Sequence, residues 1–144
     1  MKKFQFGLDR VLDYRQRILE GRQNEYATAT RRVQEQQAKL DAVQERYQSL
    51  NNRFREEAAA GITIADAMSY ENGLRVLERE IARETQTLQR LEQEAKEKRQ
   101  RMLQAYMDAT VLERLKEKQR DAYEKEVQKR DGQHSEELVS AARR

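Results

Sequence analysis

Apolar side chains recur every seven residues along the first part of the chain: Leu12, Leu19, Tyr26, Val33, Leu40, Tyr47 and Phe54. A step of seven closes almost two helical turns, so these positions line one edge of a coiled-coil seam. The companion edge, three residues on, reads Arg15, Arg22, Ala29, Gln36, Val43 and Leu50. The pattern predicts a first helix over about residues 7–59, well packed near residues 40–54 and weak toward the N-terminus. A helix face that its own partner seals badly is available to another protein.

Ala58-Ala59-Ala60-Gly61 predicts the end of that helix, with Gly61 as the left-handed residue just past the cap. Thr63-Ile64-Ala65-Asp66 then resembles a capping box, the Thr hydroxyl serving the amide of the third helical residue. A turn over about residues 60–64 is short enough to fold the second helix back on the first.

Beyond it, Leu74, Leu77, Ile81, Leu88, Leu91, Ala95, Met102, Ala105, Ala109 and Leu112 follow at helical spacings. Glu71–Arg75, Glu92–Lys96, Glu94–Lys98, Glu97–Arg101 and Glu126–Arg130 are acid-to-base steps of four, the favourable order on an exposed face. The second helix is expected over about residues 65–131, stopping at Gly132, with a frayed tail over 132–144. The fold class is therefore all-α: a long antiparallel two-helix coiled-coil hairpin with a C-terminal helical overhang, forming a single unit over residues 1–144.

The arms are unequal. With the turn centred near Ile62, a first helix starting near Leu8 faces Lys116, and residues from about Lys118 onward are expected to have no intrachain partner. That overhang carries Tyr123, Val127, Leu138 and Val139, too few apolar groups for a domain of their own. Either it frays or another molecule receives it. The apolar cluster Phe4, Phe6, Leu8, Val11 and Leu12 belongs to the same end. One end thus gathers both termini and the other is a tight turn, a polarity that suits a connector between two partners.

Composition sharpens this picture. Charged residues make up 38% and apolar residues 37%, with no Pro, Trp or Cys and five Gly. An ordinary globular domain has about 25% charge and 45–50% apolar content. Such a chain fills a narrow seam rather than a wide core. The periodicity of its apolar residues argues against disorder. Absence of cysteine excludes a disulfide framework and thiolate metal sites. The 29 basic and 26 acidic residues interleave to a net +3, which describes a salt-bridged helix surface and not a nucleic-acid footprint. No apolar run reaches the roughly 18–20 residues of a membrane span, so no direct membrane insertion is expected. The opening Met1-Lys2-Lys3-Phe4 does not read as a signal peptide, and the expected location is the cytoplasm, or attachment from outside to something that is not cytoplasmic.

Candidate chemistry is sparse. His134 is the sole histidine, in the polar stretch Gln133-His134-Ser135-Glu136, so metal triads and Ser-His-Asp arrangements are not available from this chain. Phosphate loops are absent and no cofactor is implied. Glu56–Glu57 and Glu136–Glu137 are adjacent carboxylates, but neighbours on a helix diverge by about 100° and no pocket shifts their pKa values. The run Lys96-Glu97-Lys98-Arg99-Gln100-Arg101 is diluted by Glu92, Glu94 and Glu97 and lacks interleaved aromatics to stack bases. The reading is a protein-binding chain, not an enzyme and not a nucleic-acid binder. Near the turn, Val43, Tyr47, Leu50, Tyr70, Leu74 and Leu77 are brought together by the antiparallel arms, either as a packed seam end or as a partner face. Gly21 and Gly73 lie inside helical stretches, where each is either a site of close approach or simply tolerated.

Three stretches carry a family resemblance. Phe4-Gln5-Phe6-Gly7-Leu8-Asp9-Arg10-Val11-Leu12 followed by Arg15 is similar to the F-x-F-x-L-x-x-x-L-x-x-R opening of the FliJ family, the small coiled-coil component of the bacterial flagellar type III export apparatus. Tyr70-Glu71-Asn72-Gly73-Leu74-Arg75-Val76-Leu77 resembles its Y-x-x-(x)-L-x-x-L signature, and Leu112-Glu113-Arg114-Leu115-Lys116-Glu117-Lys118 its L-E-x-L-K-E-(K/R) segment. The resemblance implies a fold like the central stalk of rotary ATPases. It implies a two-terminus tip that enters the hexameric ring of the flagellar export ATPase and promotes its assembly and activity. Phe4, Phe6, Leu8, Leu12, Tyr123 and Val127 are the expected ring-contact residues. A face beside the turn would meet the large export-gate membrane protein, with Val43, Tyr47, Leu50, Tyr70, Leu74 and Leu77 as its expected contacts. Gly73 and Arg46 depart from that face, standing where a large apolar group and an aromatic are expected. Some members of the family also escort export chaperones. The implied location is cytoplasmic, peripheral to the export apparatus at the inner membrane. The stalk of a virulence-type injectisome and a purely structural scaffolding coiled coil are the other readings. Gene neighbourhood separates the first of these, and a doubled mass in sedimentation favours the second.

Overall fold

The computed structural model describes residues 2–144, and two helices run through them. These are α1, Asp9–Ala60 with 52 residues, and α2, Ile64–Arg143 with 80 residues, packed against each other as an all-α helical hairpin.

Both inner helix ends follow from local chemistry. Gly61 adopts φ +101°, a left-handed conformation that costs glycine nothing and other residues dearly. Its amide donates to the Ala58 carbonyl at 3.3 Å, closing the last turn of α1. Thr63 Oγ1 accepts the Asp66 amide at 3.1 Å, the capping bond expected from the sequence. The turn is thus residues 61–63, shorter by a residue at each side than the sequence suggests. At the other end α1 begins at Asp9, two residues later than expected, where the Asp9 amide donates to the Phe6 carbonyl at 3.1 Å. The Asp9 carboxylate sits in the first turn, where it complements the helix dipole.

The C-terminal boundary differs more. The expected stop at Gly132 is not made, and α2 continues through it to Arg143, so the expected tail over 132–144 is helical up to that residue. Glycine inside a helix costs about 0.5–1 kcal/mol relative to Ala, too little to end one without a left-handed turn. Gly61 alone among the described glycines has a positive φ.

By contact density the chain divides into two compact units, Gln23–Gln100 and Met1–Arg22 with Arg101–Arg144. In the first, Leu40, Val43 and Leu88 are buried. Gln36 on the companion edge is buried too, at 6% exposure, and its Nε2 donates to the Glu84 carbonyl at 3.1 Å and to the Glu84 carboxylate. Arg46–Glu80 at 3.1 Å and Lys98–Glu25 at 3.6 Å bridge the helices. The tight stretch expected over 40–54 is only partly so: Tyr47, Leu50 and Phe54 keep a solvent flank, because two helices cover each seam residue from one side only.

In the second unit Phe6, Leu12, Ala105 and Ala109 are buried, so the seam near the termini is not as weak as its polar companion edge suggests. Ala105 and Ala109 are small seam residues that permit close approach. Arg15–Asp108 at 3.7 Å, Lys116–Asp9 at 2.8 Å and Gln16–Glu113 at 3.1 Å span the pair. The Lys116–Asp9 pair matches the register expected from a turn centred near Ile62. Of the steps of four along α2, Glu126–Arg130 forms at 3.5 Å. Glu94 is instead taken by Arg90 at 3.4 Å, while Lys98 crosses to Glu25. A long lysine on the flank of the seam reaches either partner at similar small gain, and the cross-helix one prevails here.

Candidate functional site

Two clusters singled out by the sequence lie in different units, and each has its own geometry.

In the unit of both termini, residues 2–6 are a non-helical strap against α2 rather than an extension of α1. Phe6 and Leu12 are buried, at 6% and 4% exposure, and are spent on the protein's own packing. The Phe4 ring lies 5.7 Å from Tyr123 at a 43° tilt, and the Arg120 guanidinium sits 5.5 Å from the Phe4 centroid. The Tyr123 hydroxyl donates to the Lys2 carbonyl. These contacts correct the expectation that residues beyond about Lys118 lack an intrachain partner: the strap, which the helical pattern leaves out, reaches Arg120 and Tyr123. Val127 is half-buried and lines, with Lys2, Tyr123, Glu126 and Arg130, an open groove of about 450 Å³. Leu8 remains 41% exposed. Of the six residues expected at one partner, Leu8 is therefore the most exposed for its size, Phe4, Tyr123 and Val127 are half-buried, and Phe6 and Leu12 lie beneath.

Beside the turn, Val43 is buried at 3% exposure, while Tyr47, Leu50, Tyr70, Leu74 and Leu77 are half-buried. The Tyr47 hydroxyl donates to Glu78 Oε1 at 3.3 Å. Tyr70 stacks on Phe54 at 5.3 Å and donates to Glu57 Oε2 at 2.5 Å. That hydrogen bond to the carboxylate is the main cause holding the Tyr70 phenol above its ordinary pKa of 10.0, with burial and the Glu57 charge adding to it. Leu50 and Leu77 face an open groove of about 560 Å³ with Ala42, Arg46, Ser49 and Arg53. The cluster is at once a packed seam end and a surface with an accessible flank. Gly73 is a site of close approach within the hairpin, since Leu50 Cδ2 stands 3.0 Å from where its Cβ would be.

Several apolar side chains lie outside both clusters. Tyr14, Met107 and Val111 are 59%, 53% and 66% exposed and belong to neither seam edge. A single seam traced along each helix passes over them; their signal is a second set of three- and four-residue steps beside the first. Elsewhere His134 is exposed, and no group of three or more His, Cys, Asp or Glu among the described residues is placed to hold a metal. Among the described residues no helix is long and apolar enough to cross a membrane.

What these surfaces offer chemically is aromatic edges, half-covered aliphatic groups and paired charges on two long helices. No curated protein and no solved structure matches the chain. A family model, that of the flagellar FliJ protein, matches residues 4–143, which takes in the strap from Phe4 on, both helices and the turn. The chain therefore belongs to the flagellar FliJ protein family and is a component of the flagellar protein export apparatus.

Proposed function

We propose that this protein is the non-enzymatic stalk of the export apparatus. The unit of both termini enters the ring of the export ATPase hexamer and promotes its assembly and hydrolysis. The cluster beside the turn meets the large export-gate membrane protein and so couples the two. The protein works in the cytoplasm, peripheral to the inner membrane, with export chaperones as further partners and without nucleic acid or a cofactor.

One observation carries this reading: residues 128–144 are exposed throughout, although α2 continues as a helix to Arg143. A bare helix of that length receives no tertiary packing within its own chain, and most helical stability in proteins comes from such packing. A receiving partner supplies it. The edges of Phe4, Tyr123 and Val127 and the exposed Leu8 lie in the same unit and add apolar area to that contact.

The test is a hydrolysis assay on the purified export ATPase with the full chain and with a chain ending at Val127. That truncation spares the Tyr123 contacts that hold the strap. The full chain is expected to stimulate hydrolysis and the truncated one to fail, while circular dichroism shows the remaining hairpin helical. Normal stimulation by the truncated chain overturns the stalk reading.

A further inference from the structure

α1 carries a second apolar stripe that its own hairpin leaves open. Val11, Tyr14 and Ile18 follow at steps of three and four, and Gly21 continues the row without a side chain and with nothing within 4 Å of its Cβ position. Val11 is 43% and Tyr14 59% exposed, and Ile18 is half-buried. These residues do not belong to the Leu12–Leu19 edge that faces α2.

Ion pairs and hydrogen bonds within this unit fix which flank the stripe occupies. Asp9–Lys116 and Gln16–Glu113 lie on one side of the seam, and Arg15–Asp108 on the other. Val11 and Ile18 stand four residues before and three after Arg15, hence on its flank. Val111 and Leu115 stand three and seven residues after Asp108, hence on that same flank of α2. Val111 is 66% exposed and Leu115 half-buried. Two helices thus present apolar side chains to one shared channel.

The charges that rim the channel are of one sign. Arg10 and Arg17 border it on α1, and Arg101, Arg114 and Lys118 border it on α2; all five are exposed, and none is in an ion pair among the described residues. The carboxylate on this flank, Asp108, is occupied by Arg15. An apolar floor with helical periodicity and a basic rim is the complement of an amphipathic helix whose apolar stripe is bordered by Glu or Asp. A second copy of this chain offering the same channel would bring five like charges onto this rim.

We infer that the channel of Val11, Tyr14, Ile18, Val111 and Leu115 is a docking site for an acid-flanked amphipathic helix of a partner protein, which completes a local three-helix bundle. This site is separate from the exposed helix of residues 128–144 on which the stalk reading rests, and it stands whether or not the chain stimulates an ATPase.

The test uses the full chain and two designed peptides with Leu at a and d, one with Glu and the other with Lys at e and g. The like charges along each keep it from pairing with itself. Fluorescence anisotropy is expected to show binding of the Glu peptide, weakened by salt, and none of the Lys peptide. Tyr14→Ser with Val111→Ser is expected to weaken the Glu peptide by roughly tenfold or more, as removal of central apolar anchors does. Both substitutions fall on exposed positions, and an unchanged helical spectrum confirms that the fold is kept. Arg10→Glu with Arg114→Glu is expected to reverse the peptide preference. Equal binding of both peptides, binding of neither, or indifference to the Tyr14/Val111 pair overturns the proposal. So does a doubled mass in sedimentation that the same pair abolishes, which assigns the channel to a second copy.

Discussion

Leu50 fills the space that Gly73 leaves: its Cδ2 stands 3.0 Å from the point where a Cβ on Gly73 would lie, whereas a Cβ on Gly21 meets nothing within 4 Å. Both glycines are interior to helices and carry the same backbone cost, so the difference between them is packing alone. Gly21→Ala is expected to raise stability by about 0.5–1 kcal/mol, the whole of the propensity gain. Gly73→Ala is expected to gain less, because the Leu50 methyl must turn aside. Gly73→Leu forces the helices apart locally and is expected to lose about 1–3 kcal/mol. Urea unfolding followed by helical circular dichroism ranks the three. If Gly73→Ala and Gly21→Ala stabilise equally, Leu50 does not occupy that space.

Gln36 places a polar amide where a seam wants an apolar group, and Glu84 satisfies it twice. Removing the amide while leaving the site open costs both the hydrogen bonds and the packing. Gln36→Ala is therefore expected to lower stability by about 1–3 kcal/mol. The joint replacement Gln36→Leu and Glu84→Leu substitutes apolar contact for the polar pair and is expected to match or exceed the parent in the same urea assay. A silent Gln36→Ala variant contradicts the burial and bonding described for this side chain.

The residues that follow a single period are legible in the amino-acid sequence. Leu12 to Phe54 face inward as their spacing dictates, and Gly61 and Thr63 mark the turn through backbone chemistry that few other residues supply. Two things are not legible there, for separate reasons. The strap of residues 2–6 has no periodicity, so its packing on Tyr123 depends on tertiary placement that a helical repeat does not encode. The run of α2 through Gly132 turns on an energy of about 1 kcal/mol, below what a breaker rule resolves. Among the candidate contact residues, the antiparallel pattern accounts for Leu50 and Leu77 lining one groove and for Leu50 lying against Gly73. It does not tell that Val43 is buried while Leu50, on the same edge, keeps a solvent flank, since heptad position alone does not say how much a second helix covers.

Tyr70 supplies a pH-dependent signal. Its hydroxyl donates to Glu57, and the bond exists only while the phenol keeps its proton, so its folded pKa lies above the ordinary 10.0. A group with a raised folded pKa contributes stability that is fully present below the unfolded value and lost as pH rises through the folded one. The stabilising contribution is therefore complete below pH 10.0 and disappears on further alkalinisation. Phenolate absorbance of the protein minus that of Tyr70→Phe isolates this one tyrosine. Its midpoint is expected above 10.0, and Glu57→Gln is expected to move it down toward that value. An unmoved midpoint in Glu57→Gln contradicts the assignment of the hydrogen bond as the main cause.

The Phe4–Tyr123 pair predicts that the strap can be released without melting the helix beneath it. Phe4→Ala removes a tilted aromatic pair, worth about 0.5–1.5 kcal/mol beyond its buried area. It also removes the ring under Arg120, worth about 0.5–1 kcal/mol at an exposed site. Tyr123→Phe keeps both rings and loses only the hydroxyl bond to the Lys2 carbonyl, about 0.5–1.5 kcal/mol. Phe4→Ala is therefore expected to be the more disruptive of the two. NMR order parameters over residues 2–6 should fall strongly in Phe4→Ala and modestly in Tyr123→Phe, while amide hydrogen exchange reports the helix beneath. Exchange around Tyr123 in α2 should change little, because the intrahelical bonds there do not depend on the strap. Phe6 is buried, and the Asp9 and Leu12 amides, which donate to the Phe6 and Leu8 carbonyls, should keep their exchange rates in both variants. If Tyr123→Phe loosens the strap as much as Phe4→Ala, the hydroxyl and not the aromatic pair is what holds it, and the ring contacts follow from that bond.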